Sequence, residues 1–455
     1  MATVIGNGSG LADGNKLDMT KSQIDPEVAS EHVGEVNTTV DATNQGVFGA
    51  AAAAGGKQFR VLGKWKTAVV LIHTEVGIGI LALPSVLKRL GLIPGLIAIL
   101  GVGLLSTYTA YVLLLYWRRY PHIDNLPDAL RVLGGKALAA VGAVGLVINL
   151  SLACSSATLA MSVAFNTLTA HSMWPATFGI IVPIFIVIIS LAVGSPRTAP
   201  PGADYHIKLV GNPTFQEGFT ALLSICYAFG GRQGFLMVMA EMKDPSKDYV
   251  GSLVILQAFA IPMYMITGGA IYGLAGDYVT SPAIGTAPLL PAKIAYGILL
   301  LTLFSTGMFY GHAGIKYLFV VVMRDLLKVP EQLTTNTVKS WGVWVTIATL
   351  YWAMVFALAN AIPVFNSIIA VSSALLVAWF SFGLPGIFWL HLNWKRQFSS
   401  PAMIALSCLN WGLVLMGVFL NTAGMYASID SLITLFRDPK STVSGPFTCA
   451  DNSLF

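Results

Sequence analysis

Charge is what this sequence has least of. Charged side chains make up 10% of the 455 residues, whereas hydrophobic side chains make up 55%. A soluble globular protein carries about 25% charged residues. The composition therefore excludes an ordinary soluble protein, and it predicts an all-α polytopic membrane protein with one integral domain in a lipid bilayer.

Cysteine and the common catalytic motifs are also scarce. Three of the four cysteines lie in apolar runs, which favours small apolar packing roles over a disulfide framework. The sequence contains no P-loop, no metal-ligand cluster and no nucleophile–base pair, so it predicts no enzyme, no cofactor and no metal. The net charge of +5 is small, and basic residues that collect in loops indicate membrane orientation rather than nucleic acid binding.

Polar tails flank the apolar part of the chain. Residues 1–60 are rich in Gly, Ser, Thr and Asn and poor in aromatics, which predicts a disordered tail without a cleavable signal peptide. A cytoplasmic position for this tail is indicated by the basic residues that precede the first apolar run, Lys57, Arg60, Lys64 and Lys66. The transmembrane domain is predicted over 61–430, and a second tail, 431–455, is expected outside the cytoplasm.

Ten apolar runs can be read as membrane spans, each of which needs roughly 20 helical residues. They cover residues 65–87, 92–117, 137–170, 176–193, 214–242, 250–275, 289–322, 341–361, 363–390 and 402–427. Loop charges assign a clear orientation to each half of the chain, but the two assignments agree only if three crossings lie between Arg119 and Thr214. Two runs are found there. We therefore expect that one span is absent from this chain; the alternative is an unusual crossing by residues 137–194.

The first apolar run is interrupted in its middle. It contains Gly77 and Gly79 and then Pro84, which has no N–H to donate to the preceding turn. A broken helix at membrane depth is tolerated where it lines a cavity or binds a ligand, and such breaks indicate the substrate site of a transporter. The alternative is a simple proline kink. A second break is predicted where Gly230 and Gly231 interrupt the run 214–242.

Two motifs resemble those of a known family. Glu75-x-x-x-Gly79-x-Leu81-x-Leu83-Pro84 is similar to the opening motif of the amino acid/auxin permease family, with the closest likeness to its fungal neutral amino acid permease branch. The segment from Tyr227 to Pro245 is similar to the sixth span of that family. The resemblance covers about residues 60–430. It implies eleven spans, in two inverted five-helix repeats whose helices 1 and 6 are broken, and this sequence departs from it by the missing span of the 4/5 region.

The resemblance also implies which residues hold an amino acid. Backbone N–H groups freed at the first break would face the substrate carboxylate, and carbonyls at both breaks would accept from its ammonium group. Phe229 would pack against the substrate side chain, with ordinary core packing as the alternative. The predicted substrate-binding residues are Thr74, Gly77, Ile78, Gly79, Ile80, Leu81, Ala228, Phe229, Gly230 and Gly231.

Glu75 is the one carboxylate within the first apolar run. An unpaired anion at that depth is costly, so we expect it to be paired, solvated or protonated. A protonatable Glu75 would suit proton coupling, with Arg232 either binding a carboxylate directly or neutralising Glu75. The alternative is a structural ion pair of Glu75 with Arg232 or Lys316. Hydroxyls between Thr302 and Gly314 could serve a sodium site, but bonds to helical carbonyls are favoured for them.

Together these features predict a secondary active transporter of neutral amino acids, aliphatic or aromatic, that works by alternating access. A proton is favoured over sodium as the coupling ion. The competing hypotheses are a sensor that binds amino acid without transporting it, and an inactive splice or gene-model variant that lacks a span. An integral membrane location is expected, with the plasma membrane favoured over the vacuolar membrane.

Overall fold

The computed structural model describes residues 60–168, 181–200, 202–329, 333, 337–362 and 364–437. The predicted amino-terminal tail therefore lies outside the described residues apart from Arg60, and most of the predicted carboxyl-terminal tail does too. The last described helix continues to Arg437, beyond the predicted end of the transmembrane domain at 430.

The described residues form helices joined by turns. In chain order they are α1 (Lys64–Glu75), α2 (Leu83–Leu90), α3 (Leu92–Arg119), α4 (Leu126–Leu168), α5 (Ile181–Val193), α6 (Phe215–Ala228), α7 (Arg232–Glu241), α8 (Pro245–Ala275), α9 (Leu289–Val321), α10 (Val338–Ala361), α11 (Phe365–Ser372), α12 (Leu384–Asn393) and α13 (Pro401–Arg437). Short 3₁₀ turns cover Ile78–Ala82, Gly276–Tyr278, Ala283–Thr286 and Trp394–Arg396, and π turns cover Val322–Leu326, Ser373–Val377 and Trp379–Gly383.

Eight of the described helical segments are long and apolar enough to cross a membrane, and α1 with the bent segment Ile78–Leu90 makes a ninth. The prediction of an all-α polytopic membrane protein is confirmed. The predicted run 176–193 is described from Ile181 onward, as the 13-residue helix α5. The inverted-repeat relation between the two halves stays a prediction.

Local sequence signals set several helix boundaries. α6 begins with a capping box, in which Thr214 and Glu217 satisfy each other's backbone N–H groups. Between α2 and α3, Gly91 adopts a φ of 90°, a left-handed conformation that glycine reaches at little cost. In α4, the non-helical torsions of Gly134 and Gly135 separate a short first segment from the membrane-spanning part.

The helices pack in two groups that meet at the breaks. α1, α3 and α8 pack together with the α6–α7 pair, and α4, α9 and α10 form the second group. α4 runs antiparallel to α9, because Cys154 of α4 contacts Gly307 of α9 while the first turns of α4 lie near the last turns of α9. The interface between these groups contains the candidate site.

Consecutive helices α4 and α5 point toward the same face of the molecule. α5 ends beside the loop between α8 and α9, where the Arg197 N–H donates to Thr286 O at 3.1 Å, and α6 begins on that face. Residues 169–180 between them lie outside the described part. The absence of one full span stays a prediction.

Candidate functional site

Both predicted breaks are present, and they lie against each other. α1 ends at Glu75, after which Val76 (ψ 69°) and Gly77 (ψ −147°) leave the helical conformation. α6 ends at Ala228, and the chain resumes as α7 at Arg232. The two breaks touch where Gly79 meets Ala228: a Cβ at Gly79 would lie 2.7 Å from the Ala228 Cα. Only glycine allows this approach.

The break in α1 leaves backbone amides without acceptors. The Gly77 N–H donates to Glu75 O and the Ile80 N–H donates to Gly77 O, but no described residue accepts from the N–H of Ile78 or Gly79. These amides lie at the start of the 3₁₀ turn that leads into α2, the positive end of the helical dipole. They are therefore suited to an anion such as a carboxylate.

A small cavity of about 30 Å³ lies between the breaks. Seven of the predicted site residues line this cavity: Thr74, Glu75, Gly77, Ile78, Gly79, Gly230 and Gly231. Ile80, Leu81, Ala228, Phe229 and Arg232 are buried nearby but do not line it. Tyr310, one of the hydroxyl residues considered between Thr302 and Gly314, also lines it. Sequence reasoning missed the other lining residues, Asn149, Ala153, Tyr227, Gln233 and Val377.

Phe229 points away from the cavity. Its ring packs edge-on against Tyr264 at a centroid distance of 4.9 Å, and its Cζ lies 3.0 Å from the position that a Cβ of Gly103 would take. The geometry therefore corresponds to the core-packing alternative, with the ring held against α3 and α8.

Glu75 forms a fully buried ion pair with Arg232. Arg232 Nη1 lies 2.6 Å from Glu75 Oε2, and both side chains have no exposed surface. Gln257 of α8 donates to Glu75 Oε1 at 2.9 Å, while Arg232 Nε donates to the Ser106 carbonyl of α3 at 3.2 Å. The pair thus joins α1, α3, α7 and α8. Lys316, the other predicted partner, lies 3.8 Å from Glu241 instead.

Two tyrosines hold the backbone at the breaks, and the hydroxyl of a third contacts a side chain of α4. The hydroxyl of Tyr264 is 2.8 Å from Glu75 O and 2.7 Å from Ala228 O, so its single proton bridges both breaks. Tyr310 of α9 donates to Thr74 O at 2.7 Å, and Tyr227 is 2.8 Å from Ser156 of α4. Some carbonyls predicted for an ammonium group therefore already have one hydroxyl donor, although each carbonyl retains a second lone pair.

A larger groove of about 510 Å³ opens between α4 and α9 on one side and α1 and α7 on the other. Charged residues surround its mouth, among them Asp128, Arg131, Glu241 and Arg324. Asp124, in the loop before α4, also lines it, and burial together with the Asp128 carboxylate raises the pKa of Asp124 to about 6. Tyr310 lines both this groove and the small cavity, so it forms part of the wall between them.

Loop contacts cover the opposite side of the cavity. Gly211 donates to Leu90 O at 2.9 Å, which fixes the loop 194–213 over the end of α2. Arg89 Nη1 donates to Thr220 Oγ1 of α6 at 3.0 Å, and Ser281 Oγ donates to Asn366 Oδ1 of α11 at 2.6 Å. These contacts join loops and helix ends on this side, whereas the groove lies on the other.

Comparison with known sequences places this architecture in a family. A family profile described as "Transmembrane amino acid transporter protein" matches residues 60–198 and 145–430. The chain is 28% identical over 462 positions to "N amino acid transport system protein" of Neurospora crassa, covering 93% of this chain and 96% of that protein. It is 26% identical over 434 positions to a "Transmembrane transporter" of Fusarium pseudograminearum, covering 88% and 89%.

A plant relative gives a more distant match. The chain is 23% identical over 430 positions to "Amino acid transporter AVT3B" of Arabidopsis thaliana, covering 83% of this chain and 95% of that protein. The alignment to the Neurospora protein extends over 462 positions, more than the 455 residues of this chain, so it includes gaps in this chain. The chain belongs to the transmembrane amino acid transporter protein family, and it is an integral membrane protein.

Proposed function

We propose that this protein is a secondary active transporter of neutral amino acids that works by alternating access and couples uptake to protons. The observation that carries the proposal is the pair of apposed helix breaks around one buried cavity. Free amides at Ile78 and Gly79 are suited to the substrate carboxylate. Carbonyls of the same breaks are suited to its ammonium group.

The charge of the cavity wall favours neutral substrates. Glu75 is the one ionisable carboxylate among the lining residues, and Arg232 and Gln257 already occupy both of its oxygens. A cationic or anionic substrate side chain would therefore be buried without a free counter-charge, at a cost of several kcal/mol. Aliphatic and aromatic specificity within the neutral class stays a prediction from the sequence.

Alternating access is supported by the asymmetry around the cavity. The groove lies on one side of it, and contacts join loops and helix ends on the other. A volume of about 30 Å³ accommodates little more than a water molecule, so an amino acid enters only if the two helix groups separate. The hydrogen bond from Tyr310 to Thr74 O would break in such a movement.

Proton coupling is proposed through Glu75. Glu75 lines the cavity, and protonation of its carboxylate would remove the charge that holds Arg232. Leaving one member of a buried ion pair without its partner costs about 3–5 kcal/mol. Proton binding at Glu75 would thus loosen α7 from α1, a change that substrate binding could use. The alternative role for the pair is structural, as the joint between four helices.

The test is uptake of radiolabelled neutral amino acids into proteoliposomes with an imposed proton gradient, compared with a sodium gradient and with no gradient. We expect the proton gradient to drive uptake. The variant Glu75→Gln paired with Arg232→Met removes both charges, and we expect it to retain exchange but to lose the response to the gradient. A purely structural pair would leave that response unchanged. Absence of any uptake by the wild-type protein would refute transport.

An inactive variant is the second candidate. It is favoured by the gaps that the Neurospora alignment opens in this chain. Binding without uptake in the same liposomes would indicate this candidate or a sensor. For localisation, we propose the plasma membrane, which fluorescence microscopy of a tagged full-length chain would distinguish from the vacuolar membrane.

A further inference from the structure

Asn149 is a buried polar side chain whose hydrogen-bonding groups are unused. It lies on α4, is 1% exposed, and its Nδ2 and Oδ1 atoms have no partner among the residues that the structure describes. Buried amides almost always have partners, because an unsatisfied one is costly. Asn149 lines the small cavity between the breaks. Its free donor and acceptor are therefore available to a group that enters this cavity.

A second amide, on the opposite wall, has an unused acceptor. Gln233, in the first turn of α7, is 4% exposed and lines the same cavity, and its Oε1 atom has no partner in the described part of the chain. Gln257 also has an unpartnered Oε1 atom, but it does not line the cavity and its Nε2 atom donates to Glu75. Asn421 of α13 donates to Ala374 O. The unused amide groups at the cavity are thus on two sides of it.

The position of Asn149 suits it to contact the side chain of the substrate. The backbone groups suited to the carboxylate and ammonium groups belong to the broken helices α1 and α6, whereas α4 contributes only Asn149 and Ala153 to the cavity wall. A zwitterion held by the breaks would present its side chain away from them. A site that forms a hydrogen bond with a polar group of its substrate discriminates strongly against a substrate analogue that lacks this polar group.

We infer that Asn149 is a specificity-determining residue whose carboxamide binds the side chain of the substrate, so that neutral amino acids with a hydroxyl or carboxamide are preferred over their apolar isosteres. This inference rests on the proposed function, and within its neutral class it sets a preference for polar side chains in place of the aliphatic or aromatic preference predicted from the sequence. Gln233 adds an acceptor for the same side chain. Aliphatic substrates would leave both amides unsatisfied in the closed cavity.

Threonine and valine provide the sharpest comparison, because they have the same shape and differ in one hydroxyl. In proteoliposomes of the full-length protein, we expect kcat/KM for L-threonine to exceed that for L-valine about tenfold, the size of one net hydrogen bond. Asn149→Leu, which keeps the branched shape of the side chain and removes the amide, is expected to abolish this ratio. The matched control is Asn360→Leu, since Asn360 lies on α10, away from the cavity, and donates to its own helix.

Thermal unfolding adds a readout that separates binding from support of the fold. Removal of an unsatisfied buried amide is expected to raise the melting temperature of Asn149→Leu without substrate, while threonine no longer raises it further. A lower melting temperature would indicate a structural Asn149 and contradict the inference. Equal rates of threonine and valine transport by the wild-type protein would also contradict the inference, and this measurement needs no variant. Absence of transport and of ligand-induced stabilisation for every amino acid would overturn the proposed function as well.

Discussion

At the scale of single residues, the site depends on how closely two backbones approach. Gly79 allows α6 to touch the break of the first helix, and Gly231 lies where a Cβ would be 3.3 Å from the Glu75 Cα. Sequence reasoning identified these glycines because a break in an apolar run is visible in the residues themselves. It also named Arg232 as a possible partner of Glu75.

The first prediction concerns Gly79→Ala. The added Cβ would lie 2.7 Å from backbone of Ala228, which cannot move without shifting α6, so overpacking should cost about 1–3 kcal/mol of stability. We expect a lower melting temperature and reduced uptake. The control is Gly273→Ala, since a Cβ at Gly273 of α8 meets nothing within 4 Å. Equal stability of the two variants would contradict this account of the crossing.

The second prediction concerns Tyr264→Phe. The variant keeps the ring packed on Phe229 but removes the hydroxyl that bridges Glu75 O and Ala228 O. Leaving buried acceptors short of a donor should cost about 1–3 kcal/mol. Thermal unfolding of the purified protein measures the loss. Tyr426→Phe, at an exposed tyrosine of α13, serves as the control and should leave the melting temperature unchanged.

At the scale of helices, the positions of the helix breaks were easier to predict from the sequence than the faces that the helices turn toward the site. α8 and α9 are apolar on nearly all sides, so their residues carry little information about which face meets the site. Tyr264 and Gln257 were missed for that reason. The Phe229 ring could likewise have faced either the cavity or α8, and only the packed helices decide between them. A tyrosine or glutamine within an apolar run was the one available signal.

The third prediction tests whether Tyr310 of α9 separates the cavity from the groove. In a chain whose native cysteines are replaced, Ala153→Cys places a thiol on the cavity wall. Tyr310→Phe removes the hydrogen bond to Thr74 O, so the wall should open more often. We expect a small thiol reagent to label this cysteine several-fold faster, measured by mass spectrometry. Unchanged labelling, as expected for Tyr426→Phe, would show that other contacts form the barrier.

At the scale of the whole molecule, the described helices assign the two ends of the membrane domain to opposite faces. Val61 and Leu62, before α1, donate to Glu241 O at the end of α7. Toward the end of α13, Asp430 accepts from Gln216 at the beginning of α6. Since the α6–α7 pair crosses the membrane, residue 61 and residue 430 lie on opposite sides. Loop charges indicate the same arrangement.

Termini on opposite faces require the chain to cross the membrane an odd number of times, and this requirement gives the last prediction. The nine candidate spans and α5 together make ten helices, so if each crossed once the two termini would share a face. α4 and α5 run toward the same face, so they cannot be two successive crossings in opposite directions. We therefore expect epitope tags at the two termini to differ in accessibility, the amino-terminal tag being protected in intact cells and the carboxyl-terminal tag exposed. A tag within the loop 276–288 provides the outside reference. If both terminal tags are protected, the region around α5 crosses the membrane once fewer or once more, and the site would need to be rebuilt on a different helix order.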